Sequence, residues 1–491
     1  MKPSLPVLLL LAGVSALPLP CRAESEVPLC DYDIALIEQE GWSLDVAIAC
    51  RTPVEGFAFA DDFPVDWVAL FTDERRRPLV THGPAAWRGS GGPVTGARYW
   101  VDLDGMAEAE DDYDSAKRSG ESVLVDLSGV VALPLMEGET ANANLAIRFS
   151  APHGGEIATS LPQVGKAYEI RADEVADAAP VVFGTFERRK IAVPLPLSLA
   201  QGQAAADAEH RMGSIDLVVM GGPLAATADE IAAWVEATAL ANADFWGGFP
   251  VARSTVVVLP APGRSNVPFG RVISTGGIMV LVLVGSEIAP RALYDEWVLV
   301  HEFIHLGTPY IRDTGAWLNE GLATYLEPII RYRAGWRSAE SVWEEWTGWM
   351  GRGVGPMTRG LSSGSPYWGG ALFALTADLE LRKLTGGRSG LEDCLKPILA
   401  EAGDVSAVGQ TLPILAIGDR NSPKPVLTRL AKAHLAGAPV DLDSLFASLG
   451  VRASGGRVEF EDDAPLARMR QWILDGAPGS RLRRVPIPVE P

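Results

Sequence analysis

The 491-residue sequence predicts a multidomain α+β protein, because its hydrophobic pattern changes twice along the chain. Residues 24–180 contain short strand-like runs separated by Gly, Pro and Asp, which is typical of an antiparallel β-sandwich. Residues 181–400 contain buried strand patterns followed by helical patterns, as in a mixed sheet with a helical half. Residues 401–491 contain mostly short helical patterns and predict a small helical C-terminal region that packs on the preceding domain.

Residues 1–23, ahead of the predicted sandwich, have the pattern of a secretory signal peptide. Lys2 is followed by a Leu-rich run, and Ala23 is a small residue at the expected cleavage site. The apolar run is too short and too interrupted by Pro for a transmembrane helix, which needs about 18 or more apolar residues. We therefore expect an exported protein, periplasmic or secreted, with no transmembrane anchor after signal cleavage.

Two cysteines near the start of the predicted sandwich are candidates for a disulfide. Cys30 and Cys50 flank two strand-like runs joined by a turn near Gly41, so an antiparallel hairpin would place them almost opposite each other. An oxidising compartment would favour the bridge, and two reduced, buried cysteines are the alternative. Cys394 has no obvious partner and is predicted to be a core residue.

The second region contains the predicted sheet and its first helices. Residues 214–220, 255–259 and 278–284 are predicted strands, and residues 227–245 are a predicted helix. Further helices are predicted at 292–306 and at 316–332, with a turn rich in Gly, Pro and Asp between them. Trp343, Trp346 and Trp349 have helical spacing and are predicted core residues, and the alternative is that they form the aromatic wall of a cleft.

The first of these two later helices contains the pattern H-E-x-x-H. His301 and His305 lie on one helix face, so both imidazoles can bind one ion. Glu320 follows on the next helix, and two imidazoles with one carboxylate form a zinc site with an open position for water. Glu302 is offset around the helix and can exchange protons with a metal-activated water. The pattern predicts one zinc ion (Zn2+) per chain, although the same spacing also occurs by chance on buried helices.

The H-E-x-x-H block, together with W-L-N-E-G-L-A-T-Y at residues 317–325, resembles the gluzincin zinc peptidases. Within this clan it is most similar to the glycyl aminopeptidase and aminopeptidase N families. A second segment, from Tyr367 through residues 378–382 to T-G-G at 385–387, resembles the glycyl aminopeptidase-like proteins. The resemblance implies a thermolysin-like catalytic domain and a peptide or protein substrate. It also implies that Tyr367 donates a hydrogen bond to the oxyanion.

The resemblance further implies a glycine-rich edge strand with an acidic residue that holds the amine of the substrate. The counterpart in this sequence contains Gly276 and Gly277, which we predict to contact substrate, but Met279 and Val280 stand where the acid and its neighbour are expected. The sequence therefore leaves open whether the enzyme is an endopeptidase or an aminopeptidase. One alternative function is a catalytically weak or inactive peptidase-like protein that binds a peptide or protein partner, and another is a zinc hydrolase that acts on a non-peptide substrate.

The charge of the chain argues against one class of function. It has 62 acidic and 42 basic residues, a formal net charge of −20, and no basic tract. Phosphate backbones would repel such a surface, so nucleic-acid binding is not expected. The composition gives no indication of the oligomeric state.

Overall fold

The computed structural model describes residues 27–38, 41–59, 67–83, 85–109, 116–137, 139–196, 212–313, 316–354, 365–480 and 482–487. The predicted signal peptide lies outside these described residues. Within them, no helix combines the length and apolar character that a membrane crossing requires.

The N-terminal region consists mainly of short strands. They are β1 (Cys30–Glu38), β2 (Trp42–Val54), β3 (Gly56–Ala58), β4 (Val68–Asp73), β5 (Val80–Thr81), β6 (Ala86–Arg88), β7 (Val94–Asp102), β8 (Ala116–Ser119), β9 (Ser122–Val125), β10 (Leu133–Met136), β11 (Glu139–Thr140), β12 (Asn144–Ser150), β13 (Glu156–Ala158), β14 (Gln163–Val164), β15 (Ala167–Arg171) and β16 (Val181–Gly184). Helix α1 (Leu103–Ala109) follows β7.

These strands form three sheets around one shared hydrophobic core. The strand orders are β14-β15-β12-β1-β2-β7-β4, β11-β10-β3-β6-β5 and β13-β16-β9-β8. The prediction of a purely antiparallel sandwich is wrong at one pairing, because β1 and β12 run parallel. The strands lie about a hundred residues apart, and a long crossover can bring them together in parallel, whereas a short hairpin cannot.

Cys30 and Cys50 are directly opposite each other in the β1–β2 register and form a disulfide. This bond joins β1, the central strand of the seven-stranded sheet, to its neighbour β2. Cys394 is free and buried in a second hydrophobic core, which is formed by the mixed sheet and the C-terminal helices described below.

A five-stranded mixed sheet follows. Its strands are β17 (Phe186–Pro194), β18 (Met212–Met220), β19 (Arg253–Ala261), β20 (Phe269–Ile273) and β21 (Met279–Gly285), in the order β17-β18-β19-β21-β20. The three central strands run parallel, and the outer two are antiparallel to their neighbours. Every residue of β21 is buried, whereas β20 forms one edge of the sheet.

The remaining chain is mostly helical. Its helices are α2 (Ala228–Trp246), α3 (Val298–His305), α4 (Trp317–Ala334), α5 (Ala339–Trp349), α6 (Ser365–Thr385), α7 (Leu391–Ala402), α8 (Thr411–Asp419), α9 (Val426–Leu435), α10 (Leu442–Ser448) and α11 (Ala467–Asp475). Two small strand pairs join β22 (Tyr310–Ile311) to β23 (Val408–Gly409) and β24 (Val451–Ser454) to β25 (Arg457–Phe460). One hydrophobic core extends from the mixed sheet to the C-terminal helices.

Two local predictions for the helices can be compared with the structure. Helix α2 begins at the expected position, because Thr227 and Glu230 form a capping box. Helix α3 is shorter than the predicted 292–306, since a 3-10 turn ends at Asp295 before it begins. The carbonyl of Asp295 accepts a hydrogen bond from the guanidinium of Arg331 on α4. In a longer α3 the same carbonyl would accept a hydrogen bond from a backbone amide of the helix.

The three tryptophans of α5 differ in burial. Trp343 and Trp346 are fully buried in the second core, as expected. The prediction is wrong for Trp349, which is exposed at the end of the helix and stacks on Trp368. Helical spacing alone did not distinguish a residue in the middle of the helix from one at its end.

Candidate metal centre

Three predicted metal ligands lie together where α3 meets the first turn of α4. The Nε2 atoms of His301 and His305 are 3.2 Å and 3.6 Å from the same oxygen of Glu320. One ligand atom from each residue lies within 4.8 Å of the others. Two imidazole nitrogens and one carboxylate oxygen at these distances fit a zinc ion, which takes three such protein ligands and leaves one position open.

Asn319 holds the connection between the two helices. Its side-chain amide donates to the Thr308 hydroxyl at 3.1 Å and to the Pro309 carbonyl at 3.0 Å. These bonds fix the turn after α3 against the start of α4, beside Glu320. The sequence reasoning did not assign a role to Asn319, although its position next to Glu320 in W-L-N-E-G was a usable signal.

The charges of the ligand set are strongly coupled. Burial opposes ionisation of Glu320, but hydrogen bonds from His301 and His305 outweigh it and place the pKa of Glu320 well below its usual value. Burial alone would lower the pKa of His305, yet the hydrogen bond to Glu320 raises it. The carboxylate is therefore ionised and draws positive charge to this point, either as a proton on His305 or as a bound cation.

Glu302 lies beside the ligand set and is almost completely buried. Burial raises its pKa, while the neighbouring His305 and His301 act in the opposite direction. The backbone amide of Val272 on β20 donates a hydrogen bond to its carboxylate. The edge strand thus orients this side chain.

Gly270 allows β20 to approach Glu302 this closely. A Cβ atom on Gly270 would lie 2.8 Å from Cγ of Glu302 and 2.6 Å from Cγ1 of Val298. Any side chain at this position would displace Glu302 or separate β20 from α3. Sequence reasoning missed Gly270, because it assigned the edge strand to a later segment.

The predicted substrate glycines occupy a different place. Gly276 and Gly277 lie in the turn between β20 and β21, with φ angles of +68° and +115°, so their assignment to the edge strand is wrong. A Cβ atom on Gly277 would lie 1.9 Å from the Ser160 carbonyl oxygen, and one on Gly276 would lie 2.6 Å from Leu161. These glycines pack against the N-terminal region. The sequence did not show that residues 269–273 form a separate antiparallel strand.

Tyr367, in the first turn of α6, reaches the same centre. Its ring lies 6.2 Å from that of His301, and its hydroxyl hydrogen-bonds to Glu320. Burial raises the pKa of Tyr367 to about 12, and the carboxylates of Glu320 and Glu302 act in the same direction. The phenol therefore stays protonated at neutral pH and remains a hydrogen-bond donor.

The chain was compared with known families, curated proteins and solved structures, and similarity was found among the solved structures. No protein-family model and no curated protein matches the chain. Among solved structures, an aminopeptidase N family protein from Idiomarina loihiensis matches with a TM-score of 0.62 and 15% identity, over 86% of this chain and 78% of that chain. The chain has the fold of that aminopeptidase N family protein. The predicted relationship to this family is thereby confirmed at the level of the fold.

Two further matches have lower TM-scores and add nothing to the fold argument. An M1 zinc metallopeptidase from Deinococcus radiodurans matches with a TM-score of 0.44 and 15% identity, over 84% of this chain and 94% of that chain. A mutant of an M1 zinc metallopeptidase from the same organism, bound to a Tyr-Ser-Ala substrate, matches with a TM-score of 0.46 and 14% identity, over the same shares of the two chains.

Within this aminopeptidase N fold, a glycine contact brings Tyr367 to Glu320. A Cβ atom on Gly321 of α4 would lie 2.2 Å from Cα of Gly370 on α6. One on Gly370 would lie 2.1 Å from the Trp317 carbonyl oxygen. The two backbones touch here, and the contact is adjacent to Glu320 and less than one turn from Tyr367. Gly321 lies in the W-L-N-E-G-L-A-T-Y segment and Gly370 in the segment that begins at Tyr367, but the sequence does not show that the two glycines meet.

The other residues of the second motif segment do not reach the centre. Asp378 is buried and accepts hydrogen bonds from the Tyr325 hydroxyl and the Leu391 amide, both at 2.8 Å, and it lies 3.0 Å from Nε of Arg382. The T-G-G sequence ends α6, with Gly386 at a φ of +64°. This part of the motif joins α4, α6 and α7.

Proposed function

We propose that this protein is a zinc-dependent metallopeptidase that hydrolyses peptide bonds with a glutamate general base. The observation that carries the proposal is the convergence of His301, His305 and Glu320 on one point with Glu302 beside it. Zinc, when held by these three side chains, polarises a carbonyl and lowers the pKa of a water to about 7.

Glu302 is proposed to accept the proton of the attacking water and to return it to the leaving amine. Its burial and the hydrogen bond from Val272 support this role, because a fixed carboxylate with a raised pKa holds and releases a proton readily. Its offset from the ligand face leaves it free of the metal.

Tyr367 is proposed to stabilise the oxygen that gains negative charge when the peptide carbonyl is attacked. The phenol keeps its proton, because its pKa is about 12. Its hydrogen bond to Glu320 places the hydroxyl at the centre, and its single proton would turn from Glu320 to the oxygen on which charge develops.

The substrate is proposed to be an extended peptide or protein segment that lies along the edge strand β20 (Phe269–Ile273), within a thermolysin-like catalytic domain. A mixed sheet followed by helices supports the domain assignment, and the position of β20 at one edge of this sheet, beside Glu302, supports the binding mode. This strand contains no carboxylate that would hold a free amine, so aminopeptidase specificity is not part of the proposal.

The protein is further proposed to be exported to the periplasm or secreted. The signal-like sequence of residues 1–23 supports this location, and so does the disulfide between Cys30 and Cys50, since such bonds persist in oxidising compartments.

The test combines metal analysis with digestion of a peptide library read by mass spectrometry. Wild type, Glu302→Gln and the exposed control Glu340→Gln should each bind one zinc per chain. Cleavage should fall by about 10²–10⁴-fold in Glu302→Gln alone. Full zinc with unchanged cleavage in Glu302→Gln would overturn the mechanism. Stoichiometric zinc with no cleavage of any peptide by wild type would favour a peptide-binding protein.

A further inference from the structure

Trp297 directly precedes α3 and lies on the helix face that bears the two histidines. Its carbonyl accepts the His301 amide at 3.1 Å, so the helical spacing already applies to it. Residues 297, 301 and 305 are each four apart and therefore share one face. The ring of Trp297 is 5.2 Å from that of His301, which is 4.9 Å from that of His305. The three rings form a continuous column.

The column is buried at the histidines and open at the tryptophan. Trp297 is 48% exposed, whereas residues 298–304 of α3 are all buried. An indole can bury a large apolar area, so leaving half of it in solvent forgoes stabilisation that a packing residue would gain. An indole also offers no ligand to a metal. Its exposed surface next to His301 is therefore available to a substrate.

Exposed aromatic side chains are unevenly distributed over the described residues. The large hydrophobic residues exposed in the N-terminal region are aliphatic. The exposed aromatic residues are Phe269, Trp297, Tyr310 and Trp349, all on elements around the metal centre. Phe269 precedes Gly270 on the edge strand, and Trp349 stacks on Trp368, the neighbour of Tyr367. Of these four, Trp297 is the one whose ring lies in contact with that of a predicted metal ligand, His301.

We propose that Trp297 determines substrate specificity, by receiving a large apolar, preferably aromatic, side chain of the peptide next to the bond that is cleaved. This inference rests on the proposed peptidase function. An aromatic side chain packs on the indole in an offset or edge-on geometry, which aliphatic or small side chains cannot reproduce. A well-fitting apolar side chain in such a pocket is expected to change kcat/KM by at least about tenfold.

The test uses peptides that differ only by Phe or Ala on either side of the bond that the library digest identifies. Wild type should prefer the Phe peptide by at least about tenfold in kcat/KM. In Trp297→Ala, kcat/KM should fall for the Phe peptide and stay unchanged for the Ala peptide, so that the preference is lost. Trp297→Phe should keep most of the preference. Val164→Ala, a control at an exposed apolar residue of the N-terminal region, should retain the full preference.

A purely structural role for Trp297 gives different results. Equal losses on both peptides in Trp297→Ala, or no preference in wild type, would overturn the inference while leaving the peptidase function intact. Thermal unfolding of each variant shows whether it is folded, and Trp297→Phe provides a second substitution if Trp297→Ala is not.

A binding measurement separates this inference from the proposed function. Zinc-loaded Glu302→Gln should bind the Phe peptide more tightly than the Ala peptide in calorimetry, and adding Trp297→Ala should abolish the difference. If wild type cleaves no peptide, the Phe and Ala peptides are taken from a scan that places Phe or Ala at each position of one peptide. A binding difference that Trp297→Ala abolishes then means that the peptidase function fails and the aromatic site stands. If the difference is absent, the aromatic site fails whatever the cleavage result.

Discussion

Helices α4 and α6 are joined by two tyrosine–carboxylate pairs that serve different purposes. In one pair Tyr325 of α4 donates to Asp378 of α6, and in the other Tyr367 of α6 hydrogen-bonds to Glu320 of α4. Asp378 is fully buried, and a hydroxyl, an amide and Arg382 already surround it. Glu320 instead faces the imidazoles of His301 and His305, which are the other two predicted metal ligands.

This difference shows how similar chemical groups can stabilise a fold in one place and form a site in another. Around Asp378 a fixed cation of the protein balances the charge, so removal of any partner leaves a buried group unpaired. Around Glu320 the balancing charge is exchangeable. The predictions below test that contrast, from the largest expected effect to the smallest.

Replacing the two carboxylates should separate the two roles most clearly. Glu320→Gln should lower zinc affinity by more than about 100-fold and abolish cleavage, and it should destabilise the metal-free protein only at a pH low enough for His305 to be protonated. Asp378→Asn should instead lower the free energy of unfolding by about 3–5 kcal/mol, with one zinc per folded chain. Metal analysis and urea unfolding measure both. If folded Asp378→Asn lost its zinc, the conclusion that Asp378 serves only the fold would be wrong.

Replacing the two tyrosines should give the next largest effect. Tyr367→Phe should lower kcat by about 10²–10³-fold with little change in KM or zinc content, because it removes a donor to the developing charge. Tyr325→Phe should leave kcat unchanged and cost about 1 kcal/mol of stability. Steady-state kinetics and urea unfolding of both variants decide this, and a kcat in Tyr367→Phe equal to that of wild type would remove Tyr367 from the mechanism.

The glycine contact between α4 and α6 should have a smaller effect. Gly370→Ala forces the helices apart at the point that aligns Tyr367 with Glu320, so kcat should fall by about 10–100-fold with zinc still bound. Gly348→Ala is the matched control, because a Cβ atom there has no neighbour within 4 Å and alanine favours an exposed helix. Equal kcat in the two variants would show that the close approach does not set the position of Tyr367.

The pH dependence of zinc binding should show the smallest change. The Glu320 carboxylate raises the pKa of His305, so the metal-free pair is stabilised at low pH and loses this stabilisation as pH rises through that pKa. Zinc needs the neutral imidazole, so its affinity should fall by up to about tenfold per pH unit below the pKa of His305. Calorimetry in buffers of different ionisation enthalpy measures the released proton. An affinity that does not change between about pH 5.5 and 8 would contradict the coupling.

Local spacing in the sequence accounts for much of the candidate site. Helical periodicity places His301 and His305 on one face and leaves Glu302 to one side of it, and the capping box begins α2 at the expected residue. Cys30 and Cys50 lie at similar distances before and after one hairpin turn, and this spacing likewise places them opposite each other. These features depend on backbone geometry within one element or one turn, which a single sequence contains.

Contacts between distant elements were decided only by the tertiary structure. Gly270 against Glu302, Gly321 against Gly370 and the exposed indole of Trp297 all depend on how separate helices and strands pack. The same is true of the parallel β1–β12 pairing. Neither periodicity nor composition records which backbones touch, because the free energy of such a contact depends on the shapes of both surfaces. The sequence by itself therefore determined the candidate metal ligands, whereas packing decided what surrounds them.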